Sequence, residues 1–203
     1  MILFANISSD AVFLSGAWWE RVVPRKALEY DVWPLLVSLY RQFAFEQVYI
    51  INGPGSFTNL RLACLAFNSL AFLVGEEIKF FCCDKLQIYA SFHQQWLLPR
   101  TGLLYIGQQK NIWLSDVSLW TFELTIKNVG VEGDYFLDQC VDFREEKKLM
   151  VHRWWEKGLC SLVWDNKKMC FAFDQLPFVG CPFLVPNYMI EASIGPRHEM
   201  QQQ

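Results

Sequence analysis

The chain has 203 residues, 53% hydrophobic and 19% charged, enough apolar content to bury a core and too much for a disordered segment. A net charge of -3 excludes the basic surplus with which a protein grips a phosphate backbone unaided, so any RNA it serves is held by a partner. Seven cysteines, with no CxxC spacing and no basic leader before them, read as reduced thiols of a cytoplasmic protein.

In chain order, residues 2 to 7 and 11 to 23 read as strands, with a turn at Ser8-Ser9-Asp10 and a break at Gly16, which makes a three-stranded meander. A helix follows from Glu29 or Asp31 with Pro34 in its first turn, its apolar side marked by Trp33, Leu36, Val37, Tyr40 and Phe43. Gln47 to Ile51 has the β-branched and aromatic content of a strand, and after a glycine turn a second helix runs from about residue 57 to 73. A short strand at 78 to 82 and a helix near 84 to 97 complete a first lobe, residues 1–98, of order β-β-β-α-β-α. Pro99 and Gly102 mark the boundary to a smaller lobe, residues 99–203. There the signals predict strands at 103–106, 112–116 and 119–126 with a connection at 108–111, a charged helix from Phe143 to Lys157, and loops or short strands beyond Gly158. The most apolar stretch, Leu60 to Val74, contains Arg61, Asn68 and Ser69 and falls short of the ~20 apolar residues a membrane span needs.

The glycine turn reads Gly53-Pro54-Gly55-Ser56-Phe57-Thr58-Asn59-Leu60-Arg61. A P-loop would end in Lys followed by Ser or Thr, and a nucleophile elbow would set its Ser between glycines; neither pattern is present. What the residues support is a strand-to-helix turn, with backbone freedom at Gly53 and Gly55 and a helix cap from Ser56 or Thr58. The histidines at 93, 152 and 198 are too far apart for a helical H-x-x-x-H pair, and no metal or cofactor site is expected. The run Arg144 to Lys148 alternates in sign like a solvated helix face.

The nine residues from Gly53 to Arg61 resemble the G-P-G-S-F-T-G-L-R signature of the TsaB (YeaZ) family in eight positions, Asn59 standing for the last glycine. "MILFANISSDA" is similar to that family's first strand and turn, with Asn6 in place of an Asp, and Pro186-Asn187-Tyr188-Met189 resembles its C-terminal P-x-Y-L-R. The resemblance implies an α/β protein of the actin- and Hsp70-like (ASKHA, ribonuclease H-like) fold, with a mixed sheet and a smaller, degenerate second half. It also implies a non-catalytic partner of a TsaD-type enzyme, which transfers a threonylcarbamoyl group to tRNA, with a TsaE-like ATPase in a larger complex. Contact would run through the first two helices, in a heterodimer or, without that partner, a homodimer, and tRNA would be met only indirectly. Trp33, Leu36 and Tyr40 of the first helix and Phe57, Leu60, Arg61, Cys64 and Phe67 of the second are the expected interface residues. Both helices are apolar around most of their circumference, more than one sheet can cover. Arg61, a lone cation there, is expected to pair with an acceptor or to face solvent. The competing readings are a small actin-like kinase or acyl-transfer enzyme using Ser56, Thr58 and Asp31, and a degenerate scaffold with another partner.

Overall fold

The computed structural model describes residues 1–8, 11–75, 77–95, 98–107, 110–116, 121–125, 135–138, 150–156, 159–164, 167–172 and 175–188. Strands β1 (Ile2–Asn6), β2 (Ala11–Ser15) and β3 (Glu20–Pro24) form the antiparallel meander, and β4 (Gln47–Ile51) and β5 (Lys79–Cys83) add to it in parallel. Helix α1 (Leu28–Phe43) connects β3 to β4, and α2 (Phe57–Leu73) connects β4 to β5. Such parallel neighbours need a crossover helix, since no tight turn can return the chain to the same end. The expected order β-β-β-α-β-α is therefore the observed one, and α3 (Lys85–Gln94) follows it.

Alternation along the strands decides what faces the helices. Leu3 and Ala5 of β1, Ile7 just beyond it, and Val48 and Ile50 of β4 enter one core with Leu36 and Leu39 of α1 and Leu60, Phe67 and Leu70 of α2. On the opposite face Tyr49 stacks on Phe81 at 4.8 Å and meets Phe178 edge-on at 5.2 Å, and Phe178 also reaches Phe4.

Helix α1 begins earlier than its cap residues suggest. A 3-10 turn at Arg25–Ala27 leads directly into fully buried Leu28, so burial of that side chain, not a side-chain cap, sets the start. Pro34 then lies in the second turn, on the exposed side of the helix, and has no N–H to donate to the carbonyl of Tyr30.

The second sheet contains β6 (Thr101–Gly107), β7 (Lys110–Asp116), β8 (Thr121–Thr125), β9 (Tyr135–Asp138), β10 (Met150–Glu156), β11 (Leu159–Trp164) and β12 (Lys167–Ala172), in the order β12-β11-β10-β9-β6-β7-β8. The helix expected over Phe143 to Lys157 is corrected here: Met150–Glu156 is a strand, parallel to β9 and antiparallel to β11, and the charge run before it lies outside the described residues. Val151, Trp154 and Trp155 suit a paired strand, and pairing across the sheet outweighs local helical spacing. The residues past Gly158 are also more regular than expected, with strands paired through six register positions between β11 and β12.

The division at residue 99 is not clean. Strand β13 (Val179–Cys181) returns to the first sheet and pairs with β5 at its edge, giving the order β13-β5-β4-β1-β2-β3. Among the described residues, no helix is long and apolar enough to cross a membrane.

Candidate functional site

The turn between β4 and α2 is packed from two directions. A Cβ on Gly55 would overlap the backbone carbonyl of Ser8, and one on Gly53, whose φ of 149° already excludes most side chains, would overlap the carbonyl of Asn187. Both glycines therefore permit close approach: the end of β1 meets the turn on one side and the segment after β13 meets it on the other. Hydrogen bonds fix this arrangement. Lys85 N donates to Gly53 O at 2.7 Å, Asn52 N to Cys83 O at 3.1 Å, Asn187 N to Asn52 O at 3.0 Å, and Asn52 Nδ2 to Val185 O at 3.0 Å.

Ser56 stands at the N-cap of α2, buried, but its side chain makes no capping bond, and Thr58 is exposed in the first turn. The cap expected from one of these two is thus absent, because close packing of the turn fixes the helix start. Asn6 is buried and its Oδ1 accepts from Ser8 N at 3.1 Å and Ser8 Oγ at 2.7 Å, a local turn that holds the chain leaving β1 against Gly55.

Asp84 closes the third side. It caps α3 in a reciprocal box, with Gln87 N donating to Asp84 Oδ1 at 2.8 Å and Asp84 N to Gln87 Oε1 at 2.9 Å, and Asn187 Nδ2 reaches its other oxygen at 3.2 Å. Burial raises the Asp84 carboxyl above its ordinary range, and the hydrogen bonds from the Gln87 and Leu86 backbone and from Asn187 oppose that rise. This D-x-x-Q box was readable as a helix start, whereas the roles of Asn52 and Asn187 depend on contacts 133 and 103 positions apart.

The expected interface residues separate into two groups. Leu36, Leu60, Cys64 and Phe67 are buried in the chain's own core, which corrects their assignment as partner contacts: α1 turns Leu36, and α2 the other three, inward, and Phe67 packs edge-on against Phe80. Burial pushes the Cys64 thiol up to about 12. Trp33 and Tyr40 are half-buried, and Tyr40 Oη donates to Glu77 at 3.1 Å while its ring meets Phe45. Phe57 lies flat against Tyr188. Arg61 is exposed and has no carboxylate partner among the described residues; burial raises the Tyr188 phenol above its ordinary value, and the Arg61 charge offsets part of that rise. Asp31 is exposed on α1 and Ser56 is buried in the turn, on separate elements.

Between α1 and α2 lies a groove of about 620 Å³ lined by Leu28, Val32, Trp33, Leu62, Leu65, Ala66 and Phe72 among others. On its α2 rim Leu65, Phe72 and Leu73 are 64%, 83% and 67% exposed. Phe72 also borders a second groove of about 520 Å³, which runs between α2 and the β5–β13 edge. The outward apolar residues of α2 are thus Leu65, Phe72 and Leu73; of the residues expected on this helix, Arg61 is exposed and Phe57 half-buried, while Leu60, Cys64 and Phe67 face inward. His93 Nδ1 sits 2.9 Å from the Leu98 carbonyl, and among the described residues no cluster of His, Cys, Asp or Glu could hold a metal ion.

No family model and no curated protein matches the sequence. Among solved structures, the chain is similar to YeaZ from Pseudomonas aeruginosa, 17% identical over 67% of this chain and 74% of that one, with a TM-score of 0.41. It is also similar to an uncharacterized protein described as resembling the peptidase YeaZ from Pseudomonas aeruginosa, 18% identical over the same shares, with a TM-score of 0.40.

Proposed function

We propose that this chain is a TsaB-like, non-catalytic partner of a TsaD-type threonylcarbamoyl transferase, that its first lobe has the actin-like fold, and that its docking surface is the outward side of α1 and α2. The observation that carries this reading is the apolar groove between the two helices, with Leu65, Phe72 and Leu73 exposed along it. A surface of that kind is unusual on a protein with no partner, because each exposed apolar side chain forgoes the gain from leaving water. Two further helices laid into the groove would form a four-helix contact. The nine-residue resemblance from Gly53 to Arg61 points to the same class of partner. Arg61, exposed at the start of α2 with no internal carboxylate partner among the described residues, is available to an acceptor on the partner.

The test is co-expression with a TsaD-type protein, followed by size-exclusion chromatography with light scattering. The reading expects a stable complex that buries on the order of 1,200 to 2,000 Å², and a homodimer when the chain is alone. It also expects no ATP hydrolysis or tRNA modification by the isolated chain. Turnover by the chain alone, abolished by Ser56→Ala, would instead establish an enzyme.

A further inference from the structure

Strand β13 is an edge strand of the first sheet, and the segment after it bonds to the turn. It pairs with β5 through only three register positions, Val179 with Cys82, Gly180 with Phe81 and Cys181 with Phe80. Beyond it Leu184 is clamped by Asn68 of α2, which accepts from Leu184 N at 2.8 Å and donates to Leu184 O at 3.0 Å. The next residues bond to Asn52 and Asp84. Within this short junction two thiols from strands 99 positions apart meet: Cys82 Sγ lies 2.8 Å from Cys181 Sγ. That separation is less than 1 Å longer than the about 2.05 Å of a disulfide bond. Both residues are half-buried, so a small reagent can reach them, whereas Cys83 points to the opposite face of β5 and is buried.

We propose that Cys82 and Cys181 form a reversible disulfide, a covalent modification site that fastens β13 and the segment after it to the core of the first lobe. The oxidant is a low-molecular-weight disulfide. One thiol of the pair, as its thiolate, attacks a sulfur of R–S–S–R; that S–S bond breaks, and one R–S⁻ leaves and takes up a proton. The other thiolate attacks the protein-side sulfur of the mixed disulfide and expels the second R–S⁻, which is protonated in turn. Two protein thiols are oxidised, one small disulfide is reduced to two thiols, and the two protons move from protein to reagent. Burial holds the Cys82 thiol well above its usual range, with the neighbouring Cys181 sulfur adding to the effect, so thiolate is scarce and exchange is slow. Once formed, the bond closes a long loop, the case in which a crosslink most restricts the unfolded chain. Cytosolic disulfides of this type are typically transient and redox-sensing.

The full chain is equilibrated in mixtures of oxidised and reduced glutathione, quenched by alkylation and mapped by peptide mass spectrometry, with fragmentation to separate Cys82 from Cys83. The expected result is a Cys82–Cys181 crosslinked peptide as the dominant species at intermediate ratios, together with a rise of several degrees in melting temperature. Cys181→Ser, and independently Cys82→Ala, should remove both effects, while Cys64→Ser should leave both. Alkylation of both Cys82 and Cys181 at glutathione ratios that oxidise other cysteines would overturn the proposal. So would their recovery as separate glutathione adducts, or dominance of a pair involving Cys64.

Discussion

The ring of Tyr188 lies on the ring of Phe57, centroids 4.3 Å apart and planes within 11°, so the first residue of α2 is covered by the end of the segment that follows β13. This stack, and the bonds of Asn187 to Asn52 and Asp84 beside it, make the turn at residues 52–56 a meeting point of three parts of the chain. Tyr188→Ala removes the ring and is expected to destabilise the fold by about 1 to 3 kcal/mol, while Tyr188→Phe keeps the stack and should stay within about 1 kcal/mol of the parent. Chemical denaturation of the two variants checks the order.

Gly55→Ala is expected to cost more than a conformational penalty alone, because its methyl group would meet the rigid Ser8 carbonyl and the backbone must shift to admit it. We expect a loss of about 2 to 4 kcal/mol, comparable to overpacking elsewhere in a core. Gly75→Ala is the internal control: its φ of 77° is strained for alanine but nothing lies near the added methyl group, so a loss of only about 1 kcal/mol is expected. Equal effects in thermal unfolding would contradict the close approach at Ser8.

Asn68 substitutes for a neighbouring strand, offering one acceptor and one donor to the Leu184 backbone. Asn68→Ala leaves both backbone groups without that partner and is expected to cost about 1 to 3 kcal/mol. Hydrogen exchange should show the Leu184 amide losing protection first, ahead of amides in β4.

The Asp84 carboxyl is raised by burial, so the folded state binds its proton more readily than the unfolded chain does. Its contribution to stability is therefore fully present below the ordinary carboxylate range and is lost as pH rises through the raised value. Asp84→Asn keeps a capping oxygen and carries no charge. In a series of melting curves from acidic to neutral pH, the stability gap between parent and variant should shift in favour of the variant as pH rises, and a pH-independent gap would refute the burial effect.

Much of the first sheet and its helices was legible because each element carried its own period. Val48 and Ile50 alternate toward the helices, and the six elements from β1 to α2 follow from such local patterns. The β10 strand was misread because the charges at 144–148 favour a helix locally, while the partners that decide its state, β9 and β11, lie elsewhere in the chain. The burial of α2 was legible only in part for a related reason. An α2 apolar on most sides does not show which face the sheet takes; Phe67 went inward and Phe72 outward, five positions apart. Asn52, Asn187 and Tyr188 could not be joined to the turn by any local pattern, because their contacts span more than a hundred residues.

The most direct measurement is the affinity of the chain for a TsaD-type protein, compared between the parent and Phe72→Glu. Phe72 is exposed at the rim of both grooves, so the substitution should leave the isolated fold within about 0.5 kcal/mol of the parent while placing an unpaired charge in the contact. The account predicts binding by the parent and a loss of at least about 30-fold in the variant, equivalent to about 2 kcal/mol. A parent chain that binds no such protein, or a variant that binds it as tightly, would contradict the assignment of the α1–α2 face.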